Sequence, residues 1–455
     1  MNVLGMILAG GEGSRLFPLT RERAKPAVPF GGKYRLIDFV LSNFINSKIY
    51  SIYVLTQFKS QSLTEHLHEG WRFSSILSNH FILPVPAQKR TGESWYRGTA
   101  DAIYQNLNLI EAHDFNLVLI FGADHIYRMD IQQMIEFHRR KRADMTVSAL
   151  PIPRNEASSF GVIQVNSKQE VIGFEEKPKK PKPIPGKPDE SFASMGNYIF
   201  NADFLIKTLY EDAALEDSSH DFGKDILTRI FKINRVFAYD FQTNRVPGLS
   251  RKEIGYWRDV GTIQAFWEAN MDLRNIKPEF DLYNTGWPIK TAPFEGPPAK
   301  FVFNKDGRRG QAINSIVGEG SIISGGIVQD SVVGRVVQVD SGAAVINSLI
   351  MDGVKIGKNC IIAGQVGIAG SSVLEDNVTL AGQVGIIGHL TIGKGSTIAA
   401  KSAVFQSLDP NSFVSGIPAR PHKNRLRQDV VINQLPDILN RVRKLEQEIS
   451  ITEES

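Results

Sequence analysis

A six-residue period runs through the last third of the chain and limits its fold more than any other feature. Aliphatic side chains recur six positions apart over residues 356–404, with glycine, asparagine, aspartate and serine between them. The members are Ile356, Ile362, Ile368, Leu374, Leu380, Ile386, Ile392, Ile398 and Val404. Such a repeat is typical of a parallel β-helix, in which each hexapeptide supplies one short strand. The sequence therefore predicts a left-handed parallel β-helix of hexapeptide repeats over residues 312–420.

The period is less regular before residue 350. Ile316, Ile322 and Val328 keep it, and then the phase shifts by one at Val333 and again at Ile350. We expect these slips to mark small loops or adjusted corners of the β-helix.

A different repeat follows Pro421. Apolar residues are spaced 4-3-4-3-4 there, at Val431, Leu435, Ile438, Val442, Leu445 and Ile449. This spacing predicts a C-terminal helix with a heptad seam within residues 421–455, with Pro436 near its first turns. Two uses fit the seam equally well: association between copies of the chain, or packing of the helix along the end of its own β-helix.

The first part of the chain alternates β-branched runs with amphipathic stretches. The strand-like runs are residues 6–9, 52–57, 116–124, 145–152, 171–177 and 196–200, and helical candidates include 100–113 and 130–142. This alternation predicts an α/β, Rossmann-like domain with a mostly parallel sheet over residues 1–275, whose ligands bind beyond the carboxyl ends of the strands. Prolines concentrate in residues 276–311, which we interpret as the connecting segment.

The first strand ends in a glycine-rich loop. Gly10, Gly11 and Gly13 let the backbone approach an anion closely, while Arg15 and Lys25 supply positive charge. The loop lacks both the Gly-Lys-Ser/Thr ending of a P-loop and the GxGxxG spacing of a dinucleotide fold, which disfavours an ATPase or a dehydrogenase. An ordinary glycine turn is the alternative, but the two basic residues favour a nucleoside triphosphate.

Two aspartates are candidate metal ligands. Asp124 ends an aliphatic strand, and Asp259 stands between bulky residues and a glycine in GYWRDVGT. Each alone is more often a helix cap or turn residue. Beside a phosphate loop they predict a Mg²⁺ site, because Mg²⁺ prefers one or two carboxylates together with phosphate oxygens and water. We interpret the neighbouring His125 as structural, since an anionic phosphate nucleophile needs no base.

Net charge, cysteine content and the lengths of the apolar runs exclude several classes of partner and site. The chain has 52 basic and 48 acidic residues, a net charge of +4, which gives no case for general nucleic-acid binding. Cys360 is the only cysteine, which excludes an internal disulfide framework and a cysteine zinc site. The sequence has no apolar run of membrane-spanning length and no export signal, so we expect a soluble, cytoplasmic protein.

Motifs along residues 1–355 resemble the glucose-1-phosphate adenylyltransferase family. They are AGGEGSRLFPLTRERAKPAVPFGGKYRLIDF, WYRGTADAIYQNL, GADHIYRMD, FGVIQV, FEEKP, ASMGNYIF, SSHDFGKDIL and YWRDVGT, in that order. The resemblance implies an enzyme that makes ADP-glucose and diphosphate from ATP and glucose 1-phosphate for glycogen or starch-like polymers. It also implies allosteric regulation and a homotetramer.

The resemblance also implies roles for single residues. Arg15 and Lys25 would contact the ATP phosphates, and Asp124, with Asp259, would hold Mg²⁺ at the reaction centre. Gln88 and Gly98 would lie near the adenine. The residues implied to bind glucose 1-phosphate are Tyr96, Gly161, Glu176, Lys177 and Ser194, with Lys177 at the phosphate.

From about residue 355 to 448 the chain instead resembles UDP-3-O-acylglucosamine N-acyltransferase of lipid A synthesis, a family of trimers. Where that family has its catalytic histidine, this chain has Asp352, although His389 matches a second histidine. Aspartate is no substitute for a neutral imidazole base, so we interpret the tail as scaffold and assembly element. Acyl transfer and a non-catalytic regulatory subunit are the alternatives; the intact set of charged site residues disfavours the latter.

Overall fold

The computed structural model describes residues 2–73, 79–90, 95–303 and 307–453, and side chains as far as residue 446. The chain divides into two compact units, residues 1–295 and 296–455. The second unit therefore begins close to the β-helix that the repeat predicts.

The first unit is an α/β domain. Its strands are β1 (Val3–Ala9), β2 (Pro29–Phe30), β3 (Tyr34–Arg35), β4 (Ser51–Thr56), β5 (Phe81–Pro86), β6 (Leu117–Gly122), β7 (His125–Tyr127), β8 (Met145–Pro153), β9 (Gly161–Val165), β10 (Val171–Glu176), β11 (Glu190–Asn201), β12 (Val236–Asp240) and β13 (Trp257–Asp259). Its α-helices are α1 (Leu36–Asn46), α2 (Gln61–Gly70), α3 (Thr99–Tyr104), α4 (Leu107–Glu111), α5 (Ile131–Lys141), α6 (Ala202–Ala213), α7 (Thr228–Ile230) and α8 (Ile263–Asp272).

The central sheet brings several strand ends to one edge. Among the described residues it has nine strands. Seven follow the order β10-β9-β11-β6-β1-β4-β5; β8 pairs with β11, and β12 pairs with β8. Strand β1 pairs in parallel with both β4 and β6, and β11 runs antiparallel to β6 and β8. Every residue of β4 is buried, as the continuous apolar runs of a covered parallel sheet require. The carboxyl ends of β1, β4 and β6 therefore open onto a common edge.

One predicted helix is broken. The sequence predicts helix over residues 100–113, and the structure has α3 and α4 with an interruption at Gln105 and Asn106. The Asn106 amide donates to the Ala102 carbonyl at 2.8 Å and to the Tyr96 hydroxyl at 2.9 Å. Side-chain bonds of this kind compete with regular helix, and apolar periodicity does not report them.

The second unit is built from three parallel sheets of short strands. One sheet contains Lys300–Phe301, Ile322–Ile323, Gln338–Val339, Lys355–Ile356, Val373–Leu374 and Thr391–Ile392. The next contains Gln311–Ile313, Ile327–Gln329, Ala344–Ile346, Ile361–Ile362, Thr379–Leu380, Thr397–Ile398 and Phe413–Ser415, and Arg420–Pro421 pairs antiparallel to the last of these. The third contains Ile316–Val317, Val332–Val333, Leu349–Ile350, Gly367–Ile368, Gly385–Ile386 and Ala403–Val404.

Strand register explains the slips in the period. Gly367 pairs with Gly385, 18 residues further on, which is three full hexapeptides. Earlier coils are shorter, because Val332 pairs with Leu349 after 17 residues and with Ile316 after only 16. The ladder over residues 356–404 is buried and forms the core of the β-helix. Ile322, which also keeps the six-residue period, is 39% exposed, and the neighbouring Ile323 faces the core.

The chain ends in the predicted helix, α9 (His422–Glu453), with Pro436 in its interior. His422 Nδ1 lies 2.9 Å from Ser415 Oγ, which joins the first turn to the last strand of the second sheet. The apolar residues of α9 between Leu426 and Leu445 are 41 to 57% exposed, so the helix does not bury them against its own β-helix. No helix in the described part of the chain is long and apolar enough to cross a membrane.

Candidate active site

A cleft of about 640 Å³ opens at the carboxyl edge of β1, β4 and β6. Its walls come from the loop after β1, from Gln57 after β4, from the start of α3, and from the turn after β6. Eight of the predicted site residues line it: Gly10, Gly11, Gly13, Arg15, Lys25, Tyr96, Gly98 and Asp124. Residues far apart in the sequence are thus brought together, because parallel strands end at the same edge.

Gly13 and Gly11 of the loop differ in what a side chain at each position would contact. Gly13 has φ of 67°, and a Cβ there would lie 3.0 Å from Thr20 Cγ2 and 3.1 Å from Lys25 Cβ. The fold itself therefore requires glycine at 13. A Cβ on Gly11, which lines the cleft, would meet nothing within 4 Å, so its backbone is open to a ligand.

A buried lysine lies between the two predicted metal ligands. The Lys25 ammonium is 2.7 Å from Asp124 Oδ2 and 3.3 Å from Asp259 Oδ1, and only 8% of its side chain is exposed. The register of β7 and β13, which pairs His125 with Asp259, brings the two carboxylates together. A Cβ on Gly261 would lie 2.8 Å from Asp259 Oδ1 and 3.1 Å from Arg15 Nη2. The Arg15 guanidinium therefore reaches the same corner.

The electrostatics keep Asp124 ionised. Burial works to raise the pKa of Asp124, but the neighbouring charges of His125 and Lys25 outweigh it and lower that pKa to about 2. One ligand atom from each of Asp124, His125 and Asp259 lies within 4.8 Å of the others. The buried Nδ1 of His125 has no hydrogen-bond partner among the described residues. The two carboxylates fit a hard divalent cation, and the Lys25 ammonium lies between them.

On the predicted adenine side, packing explains the glycine at position 98. A Cβ on Gly98 would lie 2.3 Å from the His220 carbonyl oxygen and 2.5 Å from that of Ser219. Tyr96 is half-buried; burial raises the pKa of its hydroxyl, which accepts a hydrogen bond from Asn106. Gln88 is exposed beyond the end of β5 and is not part of the cleft wall.

Of the five residues predicted to bind glucose 1-phosphate, Tyr96 lines the cleft, and the other four lie on β9, β10 and β11 or directly after β10. A Cβ on Gly161 would lie 3.1 Å from Glu176 Oε2, and the Lys177 ammonium is 3.7 Å from Glu176 Oε1. Lys177 has φ of 47° and an exposed side chain. Ser194 precedes the irregular stretch of β11, and its Oγ accepts from the Gly196 amide at 3.3 Å. None of these four lines the cleft, although Gly196 does.

Aromatic rings connect this group to the carboxylates. The His125 ring lies 4.8 Å from the Trp257 ring, which lies 5.8 Å from the Phe160 ring. The Lys177 amide donates to the Phe160 carbonyl at 3.0 Å. These contacts connect the turn that carries Lys177 to His125, the neighbour of Asp124.

Comparison with known proteins agrees with this geometry. A sequence model of the nucleotidyl transferase family matches residues 4–276. A curated relative from Thermus thermophilus is 56% identical over 346 residues, 75% of this chain and 83% of the relative. One from Aliivibrio fischeri is 54% identical over 371 residues, 82% of this chain and 91% of the relative. Both are named glucose-1-phosphate adenylyltransferase.

This chain belongs to the glucose-1-phosphate adenylyltransferase family. The predicted resemblance and the predicted nucleotidyltransferase class are confirmed. A model of the GlmU-like C-terminal hexapeptide matches residues 297–386, which confirms the repeat read from the sequence.

Sequence reasoning missed several residues of this adenylyltransferase cleft. Asp221 and Tyr198 both line it. Asp221 accepts from Thr99 Oγ at 3.1 Å and from the Gly223 amide at 2.9 Å. Burial raises the pKa of the Tyr198 hydroxyl, which keeps it a neutral donor. The available signal was the SSHDFGKDIL motif, to which we assigned no role.

Asp352, at the position of the acyltransferase family's catalytic histidine, makes a contact that holds the β-helix together. Asp352 Oδ1 accepts a hydrogen bond from the Arg335 amide of the preceding coil at 2.8 Å. Asp352 thus ties adjacent coils together. His389 is exposed and occupies a corner with φ of 62°.

Proposed function

We propose that this chain transfers the adenylyl group of ATP to glucose 1-phosphate, forming ADP-glucose and diphosphate for α-glucan synthesis such as that of glycogen. The observation that carries the proposal is one cleft that holds the glycine loop, Arg15, Lys25 and Asp124. The names of the relatives supply the nucleotide and the sugar phosphate.

In this reaction a phosphate oxygen of glucose 1-phosphate attacks the α-phosphorus of ATP, and the bond to diphosphate breaks. The glycine-loop amides, Arg15 and Lys25 hold the phosphates and oppose their negative charge. The nucleophile is already an anion, so no residue has to remove its proton. Asp124 and Asp259 would hold Mg²⁺, which when bound neutralises phosphate charge.

Glucose 1-phosphate is assigned to the group around Lys177. Its ammonium offers a point charge for the sugar phosphate, and the adjacent Glu176 carboxylate offers acceptors for sugar hydroxyls. Gly161 leaves space beside that carboxylate, since a Cβ there would crowd Phe174 and Glu176. Ring contacts through Trp257 connect this group to His125, the neighbour of Asp124, which supports the assignment.

The test is Mg²⁺-dependent diphosphate release by the purified protein with glucose 1-phosphate and each of ATP, UTP, dTTP and GTP. Release with ATP alone, abolished by chelation of the metal, is expected. Asp124→Asn should lower kcat at least about 100-fold, as loss of charge stabilisation at a reaction centre does. The matched control Asp217→Asn changes an exposed carboxylate outside the cleft and should be silent. Release with another nucleotide, or full activity of Asp124→Asn, would refute the assignment.

We also propose a cytoplasmic location, with which the single cysteine, the buried thiol Cys360, is compatible.

A further inference from the structure

One buried carboxylate holds the turn that leads from α6 to the cleft. We propose that Asp212 is a positioning residue, which fixes residues 218–221, here called the Asp221 turn, and so places Asp221 in the cleft wall. The inference rests on the proposed transfer from ATP to glucose 1-phosphate. Asp212 does not line the cleft itself, and its side chain is only 3% exposed, so any effect on the reaction passes through the turn.

Within the described part of the chain, three side chains donate hydrogen bonds to Asp212. Ser218 Oγ donates to Asp212 Oδ1 at 2.8 Å, and the Arg229 guanidinium donates to the same oxygen. His220 Nδ1 lies 2.7 Å from Asp212 Oδ2 and is the donor, because carboxylate oxygens accept. Two of these three donors belong to the Asp221 turn, so one carboxylate binds the turn at two points.

The place of Asp212 in α6 argues against a role in helix stability. Asp212 lies in the last turn of α6, where the helix dipole disfavours a negative charge. Removing a carboxylate from water is also unfavourable, and an apolar side chain of similar size often stabilises a fold as well as a buried ion pair does. What the carboxylate provides and an apolar residue could not is a fixed geometry for its donors.

The backbone of the Asp221 turn is strained. His220 has φ of 54°, in the left-handed region that a residue with a Cβ rarely adopts. Its amide donates to Ser218 Oγ at 3.0 Å, while its ring is held by Asp212. Strained residues persist only where their surroundings hold them, and they cluster at functional sites. Here the strained residue directly precedes Asp221.

The turn contacts α3 as well as Asp212. The His220 carbonyl accepts from the Ala100 amide at 2.8 Å. The start of α3 also has a cap of its own, since Asp101 Oδ2 accepts from the Arg97 amide at 2.8 Å. Loss of the Asp212 contacts should therefore displace the Asp221 turn and leave α3, on the predicted adenine side of the cleft, in place.

Asp221 faces the group that we assign to glucose 1-phosphate. Burial raises the pKa of the Tyr198 hydroxyl, and the charges of Asp221 and Glu176 raise it further, so both carboxylates lie near that hydroxyl. A Cβ on Gly223 would lie 3.1 Å from Cζ of Phe174, which is on the same strand as Glu176. Displacing Asp221 should therefore weaken binding of glucose 1-phosphate more than binding of ATP.

Steady-state kinetics of Asp212→Asn tests this expectation. Asparagine keeps the size of the side chain and removes its charge and one acceptor oxygen. We expect KM for glucose 1-phosphate to rise about tenfold or more, with little change in KM for ATP. A partly unfolded enzyme would instead lose kcat with both KM values unchanged. The milder Ser218→Ala, which removes one donor to Asp212, should raise the same KM about 2–10-fold.

The matched control is Asp38→Asn. Asp38 is another buried carboxylate bound to a histidine, with Oδ1 2.6 Å from His66 Nε2, and it lies outside the cleft wall. Asp38→Asn should lower Tm, as Asp212→Asn does, and leave both KM values unchanged.

A double-mutant cycle tests whether Asp212 acts through Asp221. The double variant Asp212→Asn/Asp221→Asn should have the same kcat/KM for glucose 1-phosphate as Asp221→Asn alone, whereas the losses in Tm should add. An unchanged KM in Asp212→Asn, or an equal loss of kcat/KM with and without Asp221, would overturn the proposal.

Calorimetry separates this inference from the proposed reaction. It measures binding of glucose 1-phosphate in the presence of Mg²⁺ and a non-reacting ATP analogue, and Asp212→Asn should weaken that binding by the same factor as it raises KM. A wild type that binds glucose 1-phosphate without turnover would refute the reaction alone. Unchanged binding by Asp212→Asn would refute the role of Asp212 alone, and a wild type that binds no glucose 1-phosphate would refute both.

Discussion

Replacing Lys25 with methionine tests whether one buried ammonium and a divalent cation compete for the same carboxylates. Lys25 Nζ lies 2.7 Å from Asp124 Oδ2 and 3.3 Å from Asp259 Oδ1. A cation that binds both carboxylates must displace that ammonium. Methionine keeps the length and packing of the side chain and removes its charge, so the carboxylates are left without a cation.

The distances from the Lys25 ammonium to the two carboxylates give the size of the expected change in cation affinity. At an effective dielectric constant of about 20, each pair attracts by roughly 5–6 kcal/mol. Desolvation of the ammonium offsets much of this, and the carboxylates, 34% and 30% exposed, are screened by water. We expect a net contribution of about 1–2 kcal/mol. Lys25→Met should therefore bind a divalent cation about 5–30-fold more tightly than the wild type.

The assay is titration with Mn²⁺ followed by electron paramagnetic resonance, without nucleotide, so that its result does not depend on catalysis. Thermal unfolding in a Mg²⁺ series is the second readout, since Lys25→Met should lower Tm by about 2–4 °C per kcal/mol lost and added Mg²⁺ should reverse the loss. The control Lys207→Met removes an ammonium that is 75% exposed on α6. Equal or weaker Mn²⁺ binding by Lys25→Met would refute the competition.

Three further outcomes are expected. Lys177→Ala should raise KM for glucose 1-phosphate at least about tenfold with little change in kcat, since one charge-assisted hydrogen bond contributes about 1.5–3 kcal/mol. Steady-state kinetics measures this, with Lys180→Ala, which changes an exposed neighbouring lysine, as the control. Equal KM values for Lys177→Ala and the wild type would exclude Lys177 from the site. Gly98→Ala should destabilise the protein by about 1–3 kcal/mol because its Cβ would meet the His220 carbonyl at 2.3 Å, and an unchanged denaturant midpoint would contradict that packing. The pKa of Asp124 is about 2, against an ordinary 3.8, so its ionised form contributes stability above about pH 4 that is lost as the pH falls toward 2. Because the side chain is a third exposed and water screens its charge, the free energy of unfolding of Asp124→Asn should fall by about 1 kcal/mol less than that of the wild type over this interval. Parallel curves of unfolding free energy against pH would contradict this.

The spacing of apolar residues predicted the β-helix and the C-terminal helix well, because this spacing can be read from the sequence alone. The six-residue ladder became the buried core of the β-helix, and the heptads became α9. Ile322 and Ile323 show where this fails: two adjacent aliphatics fit the period, and the shortened coil decides which one faces the core.

The site was partly predictable for a related reason. Glycines and charged residues at strand ends pointed to Gly11, Lys25 and Asp124, and the structure brings them to one cleft. Asp221 was missed because its motif lies after β11, and only the fold carries it to Thr99 at the cleft.

The sequence by itself determined the element types, the two repeats and the chemistry available at the strand ends, because these depend on local spacing and residue type. Only the tertiary structure decided which charges meet. Lys25 and Asp259 are 234 residues apart in the chain, and the pairing of β7 with β13 brings them to 3.3 Å. It likewise decided that the apolar residues of α9 stay exposed, since burial depends on what packs against a helix and the spacing within the helix cannot specify that.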